Sequence, residues 1–85
     1  MKININNLEE AGAVIRMARK QQGFTQEEYA MQLGFSHFLA RDIEKGKPTV
    51  KMGNFMRYIE ELGIELVLDF PQSGNETKSA ANEKD

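Results

Sequence analysis

The chain has 85 residues, a net charge of −2, no cysteine and a single histidine. A chain of this length forms one small domain with a modest core, and the lack of cysteine excludes disulfides, a thiol nucleophile and cysteine-ligated metal sites. No apolar run approaches the ~20 residues that span a bilayer, and the amino-terminal MKININN lacks the apolar core of a signal peptide, so we expect a cytoplasmic protein with no metal, no cofactor and no membrane contact.

The first predicted helix covers residues 8–22 and follows an amino-terminal extension, residues 1–7. Asn7 has the side-chain oxygen that caps a helix, and Glu10 follows it at the spacing of a capping box. Gly23 stands where this helix should end, because glycine adopts the left-handed cap conformation without strain. Apolar residues recur along the segment at helical spacing: Leu8, Ala11, Ile15 and Ala18.

Two short predicted helices, residues 26–33 and 37–45, follow and are separated by a turn of three residues. Each has an N-cap residue and a glycine at its carboxyl end: Thr25 with Gly34, and Ser36 with Gly46. This arrangement is a helix-turn-helix, whose second helix protrudes and can enter the major groove of DNA. We expect two residues of that helix, Ala40 and Ile43, to face the core. The outward side should carry His37, Phe38, Arg41 and Asp42.

The fourth predicted helix covers residues 50–62, with Thr49 as its N-cap and Gly63 at its end. It carries one apolar stripe: Met52, Phe55, Met56, Ile59 and Leu62. In residues 64–70 the period changes to the alternation of a half-buried strand, with these apolar positions: Ile64, Leu66, Leu68 and Phe70. A lone strand leaves backbone groups unpaired, so we expect it to pair with the same strand of a second copy. Residues 71–85 are polar and aperiodic, which predicts a flexible tail.

Charge is distributed unevenly along the chain. Between Ser36 and Arg57 five basic side chains stand against two acidic ones, although the whole chain is slightly acidic. Acidic residues crowd the segment that follows: Glu60, Glu61, Glu65 and Asp69. A basic DNA-facing side and an acidic far side would reconcile the net charge with nucleic-acid binding. The alternative is that these are ordinary solvated charges.

Residues 15–64 resemble the Cro/repressor-type (Xre) helix-turn-helix family. The matching segments are IRMARKQQGFTQEEYAMQLGFS and DIEKGKPT, followed by an amphipathic helix that ends in ELG. The segment LVLDF is further similar to HipB-like antitoxins, which pair a carboxy-terminal strand across a dimer and regulate an operon encoding a kinase toxin. The resemblance implies a mostly α, four- to five-helix lambda-repressor-like DNA-binding domain over residues 8–63. It also implies that the C-terminal β-strand, residues 64–70, pairs across a homodimer.

The resemblance also implies roles for individual residues. An ion pair between Arg19 and Glu44 would tie the first helix to the recognition helix, and Gln26 would contact a DNA phosphate. The residues expected to contact DNA are Gln26, Ser36, His37, Phe38, Arg41, Asp42, Lys45 and Lys47.

Four of these match the family's base-reading positions: Ser36, His37, Phe38 and Arg41. Arg41 suits base readout best, because a guanidinium can donate two hydrogen bonds to guanine; alternatively it binds phosphate or pairs with Asp42. Phe38 and Asp42 depart from the family pattern. Phe38 could contact a thymine methyl group or a protein partner, and Asp42 could accept from cytosine although it repels phosphate.

These features favour a homodimeric, sequence-specific repressor that reads an inverted repeat in double-stranded operator DNA. The likeness to HipB-like antitoxins adds autoregulation of a toxin–antitoxin operon and binding of a kinase-type toxin. Two alternatives stay open: a free-standing phage-type or metabolic regulator, and a protein-interaction module that has lost DNA binding. Catalysis is not expected, because the sequence has no nucleophile with a histidine and an acid at useful spacing and no phosphate loop.

Overall fold

The computed structural model describes residues 1–72, so the predicted tail lies almost wholly outside the described residues. Residues 1–72 contain four helices: α1 (Leu8–Gln21), α2 (Gln26–Leu33), α3 (His37–Lys45) and α4 (Met52–Glu60). The predicted mostly helical fold with a helix-turn-helix is confirmed. No helix in this part of the chain is long and apolar enough to cross a membrane.

Three of the four helices begin where the sequence predicts. Asn7, Thr25 and Ser36 each accept a hydrogen bond from the backbone amide three residues later, at 2.8, 3.1 and 3.0 Å. At Thr25 the capping box is complete, because Glu28 accepts in return from the Thr25 amide. At the start of α1 the Glu10 carboxylate accepts from the backbone amide of Asn6 and not from that of Asn7. Each of these side chains satisfies an amide that has no partner within the helix.

The predicted start of the fourth helix was wrong. Thr49 is not its N-cap; α4 begins at Met52 after Lys51, whose side chain makes no capping hydrogen bond. A turn occupies the predicted position, with the Val50 amide donating to the Lys47 carbonyl at 3.4 Å. Val50 packs half-buried against the core. Thr49 lies inside that turn and not at the start of the helix.

The core lies where the four helices meet and consists of nine buried side chains: Ile15, Tyr29, Ala30, Leu33, Ala40, Ile43, Tyr58, Ile59 and Leu62. Tyr58 is fully buried, although the predicted apolar stripe of α4 did not include it. Met52, which that stripe did include, is 59% exposed. The buried face of α4 is therefore rotated toward Tyr58, which needs a polar partner for its hydroxyl group.

Two glycines allow α1 and α3 to cross closely. A Cβ atom at Gly12 would collide with the backbone of Glu44, and a Cβ atom at Gly46 would lie 2.5 Å from the Leu8 carbonyl carbon. Gly46 also has a φ of 78°, in the region that favours glycine. Backbone contact at both places fixes α3 against α1 and leaves its opposite side free.

Residues 64–70 follow the last helix without regular secondary structure, and no strand is present among residues 1–72. Ile64 is half-buried against the core of its own chain, whereas Leu66, Leu68 and Phe70 are 43%, 82% and 57% exposed. Ile64 is thus a packing residue of the monomer. Pairing of this segment across a homodimer stays a prediction.

Candidate nucleic-acid interface

The two faces of α3 differ sharply in burial. Ala40, Ile43 and Glu44 are buried at 0%, 2% and 7% exposure, while the opposite face is open to solvent. The left-handed Gly34, with a φ of 75°, ends α2 and turns the chain toward α3. The inward orientation predicted for Ala40 and Ile43 is confirmed. The major groove of DNA is wide enough to admit an α-helix, so α3 can enter it with this exposed face toward the bases.

Phe38 and Arg41 form a contact on the exposed face. Phe38 is 68% exposed, and the guanidinium carbon of Arg41 lies 4.8 Å from the centre of its ring. Such cation–π contacts contribute about 0.5–1 kcal/mol at exposed sites. Among residues 1–72, Arg41 makes no hydrogen bond or ion pair. Its N–H groups can therefore donate to a ligand, and the alternative pairing with Asp42 is not formed.

Asp42 pairs with a different basic residue. Its Oδ1 lies 3.9 Å from Nζ of Lys47, and the Lys47 side chain is 54% exposed. A surface pair of this kind stabilises by only about 0–1 kcal/mol, but Lys47 offsets the negative charge of Asp42 on this face. Lys45 is exposed on the last turn of α3.

At the amino end of α3, a chain of hydrogen bonds runs inward. The Gln26 amide donates from Nε2 to Oε1 of Glu44 at 3.0 Å, and its Oε1 lies 2.9 Å from Nε2 of His37. An amide oxygen can only accept, so His37 donates to Gln26. Ser36 uses its oxygen to cap the helix, and its hydroxyl proton is left for another acceptor. The three polar residues are therefore held in defined positions beside the exposed face.

Glu44 is the inner end of this chain and is fully paired. It accepts from Nε and Nη2 of Arg19 at 2.7 and 2.9 Å and from the Tyr58 hydroxyl at 2.6 Å. Arg19 also donates to the Phe24 carbonyl at 2.7 Å. The predicted partners Arg19 and Glu44 thus lie in a bidentate contact, the geometry that gives the strongest charge-assisted hydrogen bonds.

The surroundings of Glu44 shift several pKa values. Burial raises the pKa of Glu44, but hydrogen bonds from Arg19, Tyr58 and Gln26 outweigh it and place the pKa below its ordinary value of 4.5. The hydrogen bond to Glu44 raises the pKa of Arg19. Burial, together with donation to Glu44, raises the pKa of Tyr58 well above 10.0. Burial also raises the pKa of Tyr29, to about 12. All four groups keep their ordinary charge at neutral pH.

Tyr58 is the residue of this network that the sequence analysis missed, whereas Tyr29 stands at an apolar position of the helical pattern of α2. Tyr29 donates from its hydroxyl group to the Tyr58 carbonyl at 2.6 Å, and the two rings meet edge to face with centroids 4.8 Å apart. A signal for Tyr58 was present: it lies three residues after Phe55 and four before Leu62, on one helical face. Counting tyrosine as apolar in that stripe would have placed it in the core.

The exposed charged side chains within residues 36–57 are basic: Arg41, Lys45, Lys47, Lys51 and Arg57. The guanidinium of Arg57 lies 5.2 Å from the ring centre of Phe35, near the start of the helix. Residues 36–57 contain two acidic residues, Glu44 and Asp42. Glu44 is buried and neutralised by Arg19, so Asp42 is the acidic side chain of this segment that reaches the surface. The surface therefore attracts a polyanion despite the chain's net charge.

Comparison with known proteins gives two findings. Residues 15–68 match the model of the helix-turn-helix family. The chain is also similar to an uncharacterised HTH-type transcriptional regulator, y4mF, of Sinorhizobium fredii (strain NBRC 101917 / NGR234). The two are 34% identical over 55 residues, which cover 65% of this chain and 72% of that protein.

Proposed function

The chain belongs to the helix-turn-helix family, and from this premise we propose that it is a homodimeric, sequence-specific DNA-binding repressor of transcription. The observation that carries the proposal is the exposed, basic face of α3, on which Arg41 has no partner in residues 1–72 except the ring of Phe38. The similarity to a protein named as a transcriptional regulator supports it.

In the proposed complex α3 lies in the major groove. Arg41 donates two hydrogen bonds to a guanine, and His37 and Ser36 contact bases or phosphate at the amino end of the helix. Lys45 and Lys47 bind phosphate, which supplies much of the affinity and makes it fall with salt. Gln26 contacts a phosphate while it stays bonded to Glu44. No step requires a catalytic group, and we assign no enzymatic role.

The proposed dimer presents two α3 helices about 34 Å apart, which matches one turn of DNA and an inverted repeat. The exposed Leu66, Leu68 and Phe70 support a dimer contact, because apolar side chains in a row are stabilised when a second copy covers them. Sedimentation velocity tests this: Leu68→Asp should give a monomer where the unaltered chain gives a dimer. A monomeric unaltered chain contradicts the proposal.

Within this function, the proposed role is that of an antitoxin that regulates its own operon and binds a kinase-type toxin. The likeness of LVLDF to HipB-like antitoxins supports it. Co-purification with the product of the adjacent reading frame tests it, and a kinase-like partner retained through two columns is the expected result. A neighbour of phage or metabolic type that does not co-purify favours a free-standing regulator.

Electrophoretic mobility of duplex DNA from the protein's own promoter tests DNA binding itself. We expect a shift at micromolar dimer and low salt, weakened in Arg41→Ala and kept in Met52→Ala. Met52 is a suitable control because it is also exposed but lies on α4. An unshifted duplex contradicts the repressor. If Arg41→Ala abolishes binding of a protein partner and leaves DNA binding unchanged, the surface serves protein interaction instead.

A further inference from the structure

The outer face of α3 combines two kinds of surface in one place. The Phe38 ring is 68% exposed and apolar, and the Arg41 guanidinium lies 4.8 Å from its centre. Residues three apart on a helix are neighbours, so the ring and the guanidinium present a single combined surface to any ligand. An exposed ring beside a basic side chain is stabilised when an apolar group covers it.

Resting on the proposed function, we infer that Phe38 and Arg41 together read two adjacent base pairs, a guanine and a neighbouring pyrimidine that carries a C5-methyl group. In the major groove, guanine presents O6 and N7 as acceptors, which a guanidinium matches with two donors. A C5-methyl group is the apolar feature of the same groove, and phenylalanine is among the side chains that contact it.

The geometry of the pair suits adjacent base pairs. Successive bases of one strand are about 3.4 Å apart along the helix axis, comparable with the 4.8 Å between the guanidinium carbon and the ring centre. The guanidinium of Arg41 lies over the ring of Phe38, and its N–H groups make no hydrogen bond among residues 1–72. Phe38 therefore holds Arg41 beside it, so that the guanidinium can meet guanine while the ring meets the neighbouring pyrimidine.

Thymine and 5-methylcytosine carry the same methyl group. The pair therefore favours either base over its unmethylated counterpart, deoxyuridine or cytosine. Each counterpart keeps the Watson–Crick pairing of the methylated base and differs from it only at C5. The methyl group, not the hydrogen-bonding edge, is the chemistry that Phe38 recognises.

The test begins with a binding-site selection from random duplexes. The same selection with Arg41→Ala identifies the guanine that Arg41 reads, because the variant should no longer prefer G·C over other base pairs at that one position. Four duplexes then differ only at the selected pyrimidine next to that guanine: thymine, deoxyuridine, cytosine and 5-methylcytosine, each with its ordinary complement. We expect loss of the methyl group to weaken binding about fourfold in both matched pairs, the change that burial of one methyl-sized group gives.

Phe38→Ala should abolish this methyl effect. The variant protein should keep its fold because the Phe38 side chain is exposed, and circular dichroism checks the fold. Met52→Ala, which removes an equally apolar side chain that is 59% exposed on α4, should keep the effect. Equal affinity within both matched pairs overturns the inference, as does an undiminished methyl effect in Phe38→Ala. Either result leaves DNA reading by α3 intact. Failure to bind any duplex overturns the proposed function itself.

Discussion

Tyr58 donates its hydroxyl proton to Oε2 of Glu44 across 2.6 Å, and the same oxygen accepts from Nε of Arg19 at 2.7 Å. These three residues belong to α4, α3 and α1, and Gln26 of α2 donates to the other carboxylate oxygen at 3.0 Å. Each of the four helices in residues 1–72 thus contributes to the pairing of one buried carboxylate. The position of α3 depends on that carboxylate.

Replacement of Tyr58 by Phe removes a donor to a buried charge. We expect Tyr58→Phe to lower the free energy of unfolding by about 2 kcal/mol, in the range for hydrogen bonds to charged groups. Tyr29→Phe is the matched control, because it removes a bond to a neutral carbonyl and should cost only about 1 kcal/mol. Urea denaturation followed by circular dichroism measures both. A larger loss for Tyr29→Phe contradicts the prediction.

Stability should fall with acid because of Glu44. Its hydrogen bonds hold the folded-state pKa below the ordinary value of 4.5, so the unfolded chain binds the proton more readily. The contribution is complete above about pH 4.5 and is lost as the pH falls through the lower folded-state pKa. Denaturation midpoints from pH 7 to 3 measure it. Tyr58→Phe lacks one of those hydrogen bonds and should show a weaker pH dependence; parallel curves contradict the assignment.

Two glycines on helices should respond oppositely to the same substitution. In Gly12→Ala the new Cβ meets the backbone of Glu44, which forces α1 and α3 apart and should destabilise by about 1–3 kcal/mol. In Gly53→Ala the new Cβ has no atom within 4 Å among the described residues, so the better helix propensity of alanine should stabilise by up to about 1 kcal/mol. Thermal unfolding distinguishes the two. A neutral Gly12→Ala contradicts the close crossing.

Lys45 and Arg41 should differ in how their loss affects DNA binding. Lys45→Ala should weaken binding to all sequences alike and reduce the slope of log affinity against log salt by about 1. Arg41→Ala should cost about 1–3 kcal/mol on the selected site and relax the preference at one base pair. Fluorescence anisotropy over a salt series measures both. Sequence-dependent losses in Lys45→Ala contradict a phosphate contact.

The sequence was a reliable guide wherever structure depends on neighbours in the chain. An N-cap bond joins residues three apart, so Asn7, Thr25 and Ser36 predicted three helix starts correctly. Thr49 lies instead in a turn closed by the hydrogen bond from Val50 to Lys47, and α4 begins only at Met52. Thr49 is a good cap by residue type, but residue type does not decide between a turn and a helix start.

The interior network was harder to predict because its members are far apart in sequence. Glu44 is 25 residues from Arg19 and 14 from Tyr58, and no local pattern joins them. The family resemblance supplied the Arg19–Glu44 pair, but it supplied no role for Tyr58. On α3 the helical period placed the outward residues correctly. Their mutual contacts, Phe38 with Arg41 and Asp42 with Lys47, depend on side-chain conformations that spacing does not specify.

The two faces of α3 have an evolutionary consequence. Ala40, Ile43 and Glu44 maintain the fold from the inward side, so the outward residues can change almost independently. Exposed substitutions usually alter stability by no more than about 0.5 kcal/mol. Under the proposed base reading, point mutations at Phe38 or Arg41 can change the preferred operator, and every intermediate along that route remains a folded protein.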